Sequence, residues 1–493
     1  MLAPRVRSTT ALASLIALLA VLAAWGVRFL APSTFSALDW AAYDIWVQHR
    51  TAPPASPSLV LITRDEAGEA RFGTEMWDHA LFARVITALG RAGATVVGLD
   101  VPIGGTSPPG RGGAASDAML IEASRSTGRV VYPLNIRLAT DVKRPVSGLP
   151  HPSWPTMPRT TLKRFSEAAW IGAPRPALVQ HAAGMGHAMI PADKDGVVRR
   201  APLYVRLEDR AVPAFGMALL AASLKVAPEQ VSIRGQAVHL HEARFPDGTM
   251  RRLSIPIDEQ GRMLISYIGR ESTPAFASTS FLDVWRAIER GEPDKIRDWV
   301  AGKIVVLLPG EHSAGSRQTP FEEGVSDSFI QLNVLNTLLT EAWTREASPM
   351  VSVFAALILA GSAAWLFLSV SGAMGLAAVV ALALGYIGAV AAALSMSSLV
   401  IPLWFPLFSL ALASGGTTLW THLTTGHRVR LLESHIEGVQ QELVVAREAL
   451  ICRESIVEGL EEDLEATRIA VARSAGKEQE LVRSAEALRA HLG

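Results

Sequence analysis

Three apolar runs follow one another in tight succession, at residues 350–370, 374–394 and 399–419. Each is about 20 residues long, enough for a helix to cross a hydrocarbon core roughly 30 Å thick. None contains Asp, Glu, Lys or Arg, whereas a soluble helix buries one apolar stripe and shows water a charged face. Three such runs predict a membrane protein, with a large domain before the cluster and a helical rod after it.

A fourth apolar run, 11–27, lies behind Arg5 and Arg7 and is closed by Arg28. It reads as an uncleaved signal anchor; the alternative is a cleaved signal peptide, since Ala23-Ala24 offers small residues. Both choices leave the C-terminus in the cytoplasm: an inside start with four crossings, or an outside start with three. Positive charge agrees, because His427, Arg428 and Arg430 follow the last run. The expected layout is an N-terminal membrane helix or anchor over 1–30, an exported domain over 31–345, three membrane helices over 350–420 and a cytoplasmic segment over 428–493. A multi-pass membrane protein results, with its large domain outside the cytoplasm.

Composition narrows the partners. Lys+Arg and Asp+Glu both number 46, so no global charge points to nucleic acid. Cys452 is the single cysteine, which excludes an intrachain disulfide and a Cys-based zinc site. The roughly 300 residues before the cluster can bury a core without such staples.

Within the exported domain, short β-branched runs alternate with helical spacing. Strands are expected at 58–63, 95–101 and 129–136, with helices at 77–91 and near 115–126. That order implies right-handed crossovers and a largely parallel sheet with helices on its faces. After an irregular, Pro-rich stretch (142–158), period-two strands are expected at 197–205, 238–241, 252–257 and 263–268, around one helix at 213–223. Helix 280–290, strand 303–308 and helix 327–341 return to the first pattern. The fold class is therefore an α/β domain, a largely parallel sheet with an antiparallel insertion, joined to transmembrane helices and a C-terminal coiled coil.

In open parallel sheets, ligands sit beyond the carboxyl ends of the strands. Three turns qualify: Asp65-Glu66, Asp100 to Gly105, and Gly310 to Thr319. If their strands are neighbours, Asp65, Glu66, Asp100, Gly310, Glu311 and Thr319 converge with His312, Ser313 and Arg317 on a small polar ligand or a partner loop. The plainer alternative is that Asp65 and Asp100 cap helices and the glycines permit turns. Asp195-Gly196 reads as a hairpin turn, with Arg199 on the next strand pairing a carboxylate. His239 and His241 share one strand face, but no third ligand is fixed, so no metal and no cofactor is expected. No Gly-x-Ser-x-Gly turn or phosphate-cradling loop occurs.

From Leu432 onward, apolar residues recur at steps of four and three. Ile436, Leu443, Leu450, Val457 and Leu464 hold one seam position, and Leu432, Val439, Ala446 and Leu460 the other. Such heptads predict a coiled coil, hence a homodimer; the alternative is a single helix lying on another domain. Few helix breakers separate Leu419 from Leu432, so the last span and the rod are expected to form nearly one helix. His435 has no catalytic ATP-binding sequence after it, and Cys452 reads as a surface residue.

At these positions the chain resembles the CHASE2 family of bacterial extracytoplasmic sensor domains. The likeness runs through Asp44 with Arg50, Arg64-Asp65-Glu66, Trp77-Asp78-His79, Gly98-Leu99-Asp100, Asp195-Gly196-Val197-Val198-Arg199-Arg200, the segments 265–269 and 303–310, Thr319-Pro320 and Gly324-Val325. It covers roughly residues 35–419. The chain departs from the family pattern at Ser316-Arg317-Gln318 and at Glu323, and its tryptophan–proline pair is reduced to Trp77-Asp78. The resemblance implies three spans directly after the domain and a sensing role. The function expected is that of a receptor subunit passing an extracytoplasmic stimulus from a small-molecule or protein ligand to a cytoplasmic effector of kinase or cyclase type. No catalytic domain is expected in this chain, and the effector would lie beyond Gly493 or on a partner. Alternatives are an envelope scaffold that binds protein without signalling, or an exported hydrolase.

Overall fold

The computed structural model describes residues 3–490 except 102, 108, 139–150, 274, 309–316 and 371. Two helices, α1 (Ala3–Leu30) and α2 (Pro32–His49), come first. Then follow β1 (Leu59–Thr63), α3 (Glu66–Phe72), α4 (His79–Arg91), β2 (Val96–Leu99), α5 (Gly113–Thr127) and β3 (Val130–Leu138). Next are α6 (Arg159–Leu162), β4 (Ala168–Gly172), α7 (Pro176–Val179), β5 (Gly184–His187), β6 (Arg200–Pro202), β7 (Tyr204–Leu207), β8 (Arg210–Pro213) and α8 (Phe215–Ser223). The domain finishes with β9 (Val231–Arg234), β10 (Ala237–Arg244), β11 (Met250–Pro256), β12 (Arg262–Leu264), β13 (Ser278–Ser280), α9 (Phe281–Arg290), α10 (Pro293–Val300), β14 (Ile304–Leu307) and α11 (Asp327–Thr340). Beyond it lie β15 (Arg345–Glu346), α12 (Pro349–Ser369), α13 (Gly372–Ser397), β16 (Leu399–Val400) and α14 (Trp404–Ala490).

The central sheet runs β13-β1-β14-β2-β3 with every pair parallel. β3 is long enough to pair twice more, in parallel with β5 and antiparallel with β4. Side chains alternate between faces. Leu59, Leu61, Val131, Ile304 and Val306 pack with α8 and α11, while Ile62, Val97, Leu99, Val305 and Leu307 pack with α4, α5, α9 and α10. Both faces are covered, which is why these strands read as unbroken apolar runs. At Gly98 the α8 helix approaches so closely that a Cβ would lie 3.0 Å from Phe215 and Leu219.

β14 sits between β1 and β2, so the last strand and helix rejoin the first half, as expected. The insertion is antiparallel: β11-β10-β9, β7-β8 and β6-β12. The strand expected over 197–205 is two strands instead. β6 pairs β12 and β7 pairs β8, with Leu203 between them, and Val197 makes one bridge to Gln318. Helix 77–91 begins at His79, because Asp78 caps it through Ala80 N. The sequence reading missed β4, β5 and α10. β5 contains Gly184 and Gly186 and so resembles a turn, yet a Cβ at Gly186 would lie 2.6 Å from the carbonyl oxygen of Ala214.

Among the described residues, three helices are long and apolar enough to cross a membrane: Thr9–Leu30 within α1, α12 and α13. The expected run 399–419 differs. Its start is β16, paired in parallel with β15, and Pro402 keeps the residue before it extended, so the helix begins only at Trp404. From there α14 continues unbroken for 87 residues, about 130 Å at 1.5 Å per residue, uniting the last apolar segment with the rod. Small residues pack α1, α12 and the start of α14 together: Ala17, Ala20 and Ala24 with Ala356, Ala360 and Ala413. Such contacts are the usual means of close helix approach in lipid. Trp25 meets Phe405 at 6.1 Å between ring centroids, and Ile16 lies beside Gly416, so α1 runs antiparallel to α14.

Candidate functional site

Helix α2 lies between the sheet domain and the apolar helices and grips both. Pro32 opens it and an extended Arg50 ends it. Tyr43 and Val47 are buried in a cluster with Leu394 of α13, flanked by Trp40, Trp46, Phe321 and Val400. Towards the domain, the Asp44 carboxylate receives Nε of Arg199 at 2.7 Å and Nη2 of the same fork. Gln48 donates to the Pro320 carbonyl, and Arg50 donates to Ser266 Oγ at 2.9 Å. Towards the apolar helices, Asp39 Oδ1 accepts from Leu403 N at 2.8 Å and Trp404 N at 3.0 Å, capping the start of α14. Trp404 Nε1 returns a bond to the Leu38 carbonyl at 3.1 Å.

The turn that carries Arg199 is built as its sequence demands. Gly196 N donates to the Asp193 carbonyl at 3.0 Å, and Gly196 has φ +88°, a conformation that favours glycine. Asp195 Oδ1 accepts from Val197 N at 3.2 Å and from Arg199 Nη1 at 3.0 Å. Arg199 pairs with carboxylates as expected and is 2% exposed. Burial works against its charge, but Asp44 and then Asp195 outweigh burial and hold its pKa above the ordinary arginine value.

Arg200 continues the network. Its Nη1 reaches both oxygens of Asp193 at 3.0 Å, while Nε and Nη2 reach Glu346 Oε1 at 3.0 and 2.8 Å. Its guanidinium stacks 4.1 Å above the Trp40 ring. Arg262 joins through Asp258 at 2.8 Å. Glu346 belongs to β15, so the Asp195-Gly196 turn is linked through Arg200 to the strand pair from which α12 and α14 depart. A movement of the turn therefore has two routes to α14, by Asp44 and α2 or by Glu346 and β15–β16.

The residues expected beyond the sheet divide. Because β1, β14 and β2 are parallel neighbours, their carboxyl ends lie at one sheet edge. Asp65 Oδ1 accepts from Gly68 N at 2.8 Å and caps α3; Glu66 is exposed in the first turn. Asp100 accepts from Ser328 Oγ at 2.6 Å, tying β2 to α11. Thr319 is buried and closes a turn by donating to the Glu322 carbonyl at 3.1 Å. Arg317 pairs with Asp327 at 2.7 Å. Gly310 and Glu311, with His312 and Ser313, lie outside the described residues. Thr319-Pro320 thus belongs with α2, whereas the Asp65 cap on α3 and the Asp100 tie to Ser328 are architectural bonds. His241 bonds Ser232 at 2.8 Å, so the His239–His241 face stays within its own small sheet.

Sequence reasoning missed Asp39, Trp40 and Glu346. The available signal was an acid at 39 in an aromatic, apolar segment directly after the first span. It also missed the buried group in which Asp117 accepts from His79 Nδ1 at 2.6 Å and from Arg175. Burial would raise the Asp117 pKa, but the Ser107 N–H, His79 and Arg175 together lower it.

The CHASE2 domain family model matches residues 16–373. The match begins inside α1 and ends at the start of α13, earlier at both ends than the expected 35–419, and it includes α2, the turn and Glu346. No curated protein and no solved structure matches the chain. With well over half its length inside the match, the chain belongs to the CHASE2 family of sensory domains.

Proposed function

We propose that this chain is a subunit of a bacterial inner-membrane signal-transduction receptor. Its sheet domain senses a small-molecule or protein ligand outside the cytoplasm. The start of α14 forms a fourth crossing, and the rest of α14 pairs with a second copy to pass the signal to a cytoplasmic effector of kinase or cyclase type. The single observation that carries this reading is α2, whose Asp44 holds the domain while its Asp39 holds the first turn of α14.

The fourth crossing has physical support. No Asp, Glu, Lys or Arg occurs from Trp404 to His427. α12 and α14 leave a parallel strand pair and pack along each other, so they run the same way. The rod supports pairing: Ile436, Leu443, Leu450 and Leu464 are each at least half exposed in the single chain, and heptad side chains of this kind gain about 1.5–3 kcal/mol each on burial. Two copies anchored in one membrane pair in parallel. Coupling of about 1–3 kcal/mol between ligand and rod suffices for regulation.

Cysteine crosslinking in native membranes tests this, with Cys452→Ser as background. Leu443→Cys or Leu450→Cys is expected to link copies, and Asp39→Ala, which frees the first turn of α14, is expected to change the yield. No link at either position contradicts the dimer; a yield indifferent to Asp39→Ala contradicts coupling through α2.

A further inference from the structure

A cavity of about 470 Å³ opens between the sheet domain and the membrane helices, within the size range of small-ligand sites. Its walls come from the end of α1, the first turns of α2, the 192–195 turn and the links preceding α12 and α14. Arg28 lies just before the end of α1, Ala347 just before α12 and Pro402 just before α14. The cavity therefore sits at the level where three apolar helices leave the bilayer. Cationic and carboxylate side chains line it in equal number, which suits a zwitterion better than a simple ion.

Not all of those charges are free for a ligand. Arg200 and Arg262 are held by Asp193, Asp258 and Glu346. Lys194, in contrast, forms no hydrogen-bonded ion pair among the described residues, and neither does Arg28, which lies 5.4 Å over the Phe405 ring and near Asp39 with all its N–H donors left for a ligand. Glu346 gives Arg200 only its Oε1, so Oε2 remains able to accept.

We propose that this cavity binds the headgroup of a zwitterionic phospholipid bearing a primary ammonium. The phosphate sits with Arg28 and Lys194, the ammonium donates to Glu346 Oε2, and the acyl chains leave past Val400 and Ile401. This rests on the reading that α1, α12 and the start of α14 cross the bilayer. A quaternary ammonium has no N–H for Glu346, and the Trp40 ring that would otherwise face it is covered by Arg200 at 4.1 Å. An anionic headgroup without an amine would leave Glu346 facing like charge. Since Glu346 also holds Arg200, an occupied cavity bears directly on the link between turn and α14.

The test uses the full chain in phosphatidylcholine nanodiscs containing equal fractions of phosphatidylethanolamine and phosphatidylglycerol, with retained lipids read by native mass spectrometry. Phosphatidylethanolamine is expected to be retained about tenfold over phosphatidylglycerol, the effect of one or two charge-assisted bonds. Glu346→Gln, which removes the carboxylate that tells an ammonium from a glycerol, is expected to abolish the preference; Arg28→Gln with Lys194→Gln, which removes the phosphate partners the two lipids share, is expected to lower retention of both; and Ser36→Trp, which fills the cavity without altering a charge, is expected to remove retention and preference together. Equal retention, or a preference untouched by Glu346→Gln or by Ser36→Trp, overturns the proposal. Displacement of the retained lipid by equimolar soluble glycerophosphoethanolamine would reassign the cavity to a soluble ligand and overturn it too. A chain that inserts and shows no preference refutes this inference alone, whereas one that never inserts refutes the membrane reading beneath it.

Discussion

Arg199 is nearly inaccessible to solvent and its fork is spread over Asp44 and Asp195. Removing one partner of a buried pair leaves the other charge stranded, at a cost of about 3–5 kcal/mol. Arg199→Ala is therefore expected to lower stability by that amount in denaturant melts of the solubilised protein. Arg199→Lys should recover little, because a point charge cannot replace a planar fork. Asp39 behaves differently. Burial raises its pKa, and the two backbone N–H bonds offset only part of that; its contribution to stability is thus full below the unfolded value near 3.9 and is lost as pH rises through the folded one. Asp39→Asn keeps the accepting oxygen and drops the charge, so its melting temperature at pH 7.5 should equal or exceed wild type. Asp39→Ala should lose the cap, about 1 kcal/mol. His187 is fully buried with neither ring nitrogen hydrogen-bonded among the described residues, and burial pushes its pKa down to about 3. Between pH 6.5 and 3 the unfolded chain binds a proton there and the folded chain does not, so stability drops as pH is lowered, by up to about 1.4 kcal/mol per unit. His187→Leu should flatten that slope in acid titrations of stability.

Among the elements, those of the parallel sheet were legible because each strand carries its own apolar run and each covering helix its own periodicity: β1, β2, β14, α4 and α9 lie within two residues of their expected bounds. Helix α2 was not legible as a connector. Its acids look like ordinary surface charge until their partners are known, and those partners are 155 residues away for Asp44 and 364 for Asp39. Asp195-Gly196 and Arg199 could be read because a turn and its pairing are local. Glu346 could not, since nothing around Arg345-Glu346 marks a two-residue strand. At Asp65 and Asp100 the plainer alternative gains support: Asp65 caps α3 and Asp100 is tied to Ser328 of α11. The β15–β16 junction yields its own expectation. Arg200→Glu should alter Leu443→Cys crosslinking, and adding Glu346→Arg should restore it, because the pair and not either charge alone joins the turn to the strands.

For the whole molecule, the proposed transmembrane signalling requires that the sheet domain and the rod lie on opposite sides of one membrane, joined by α1, α12, α13 and the first turns of α14. If α14 did not cross, three crossings would leave the rod beside the domain and no transmembrane signal would exist. Cys452, the single cysteine, is exposed on the rod, and Glu229 is exposed on the domain. The most direct measurement is labelling by a membrane-impermeant maleimide in intact spheroplasts, comparing native Cys452 with Glu229→Cys in a Cys452→Ser background. Glu229→Cys is expected to label at once and Cys452 only after permeabilisation. Labelling of Cys452 in sealed spheroplasts would contradict the proposed signalling.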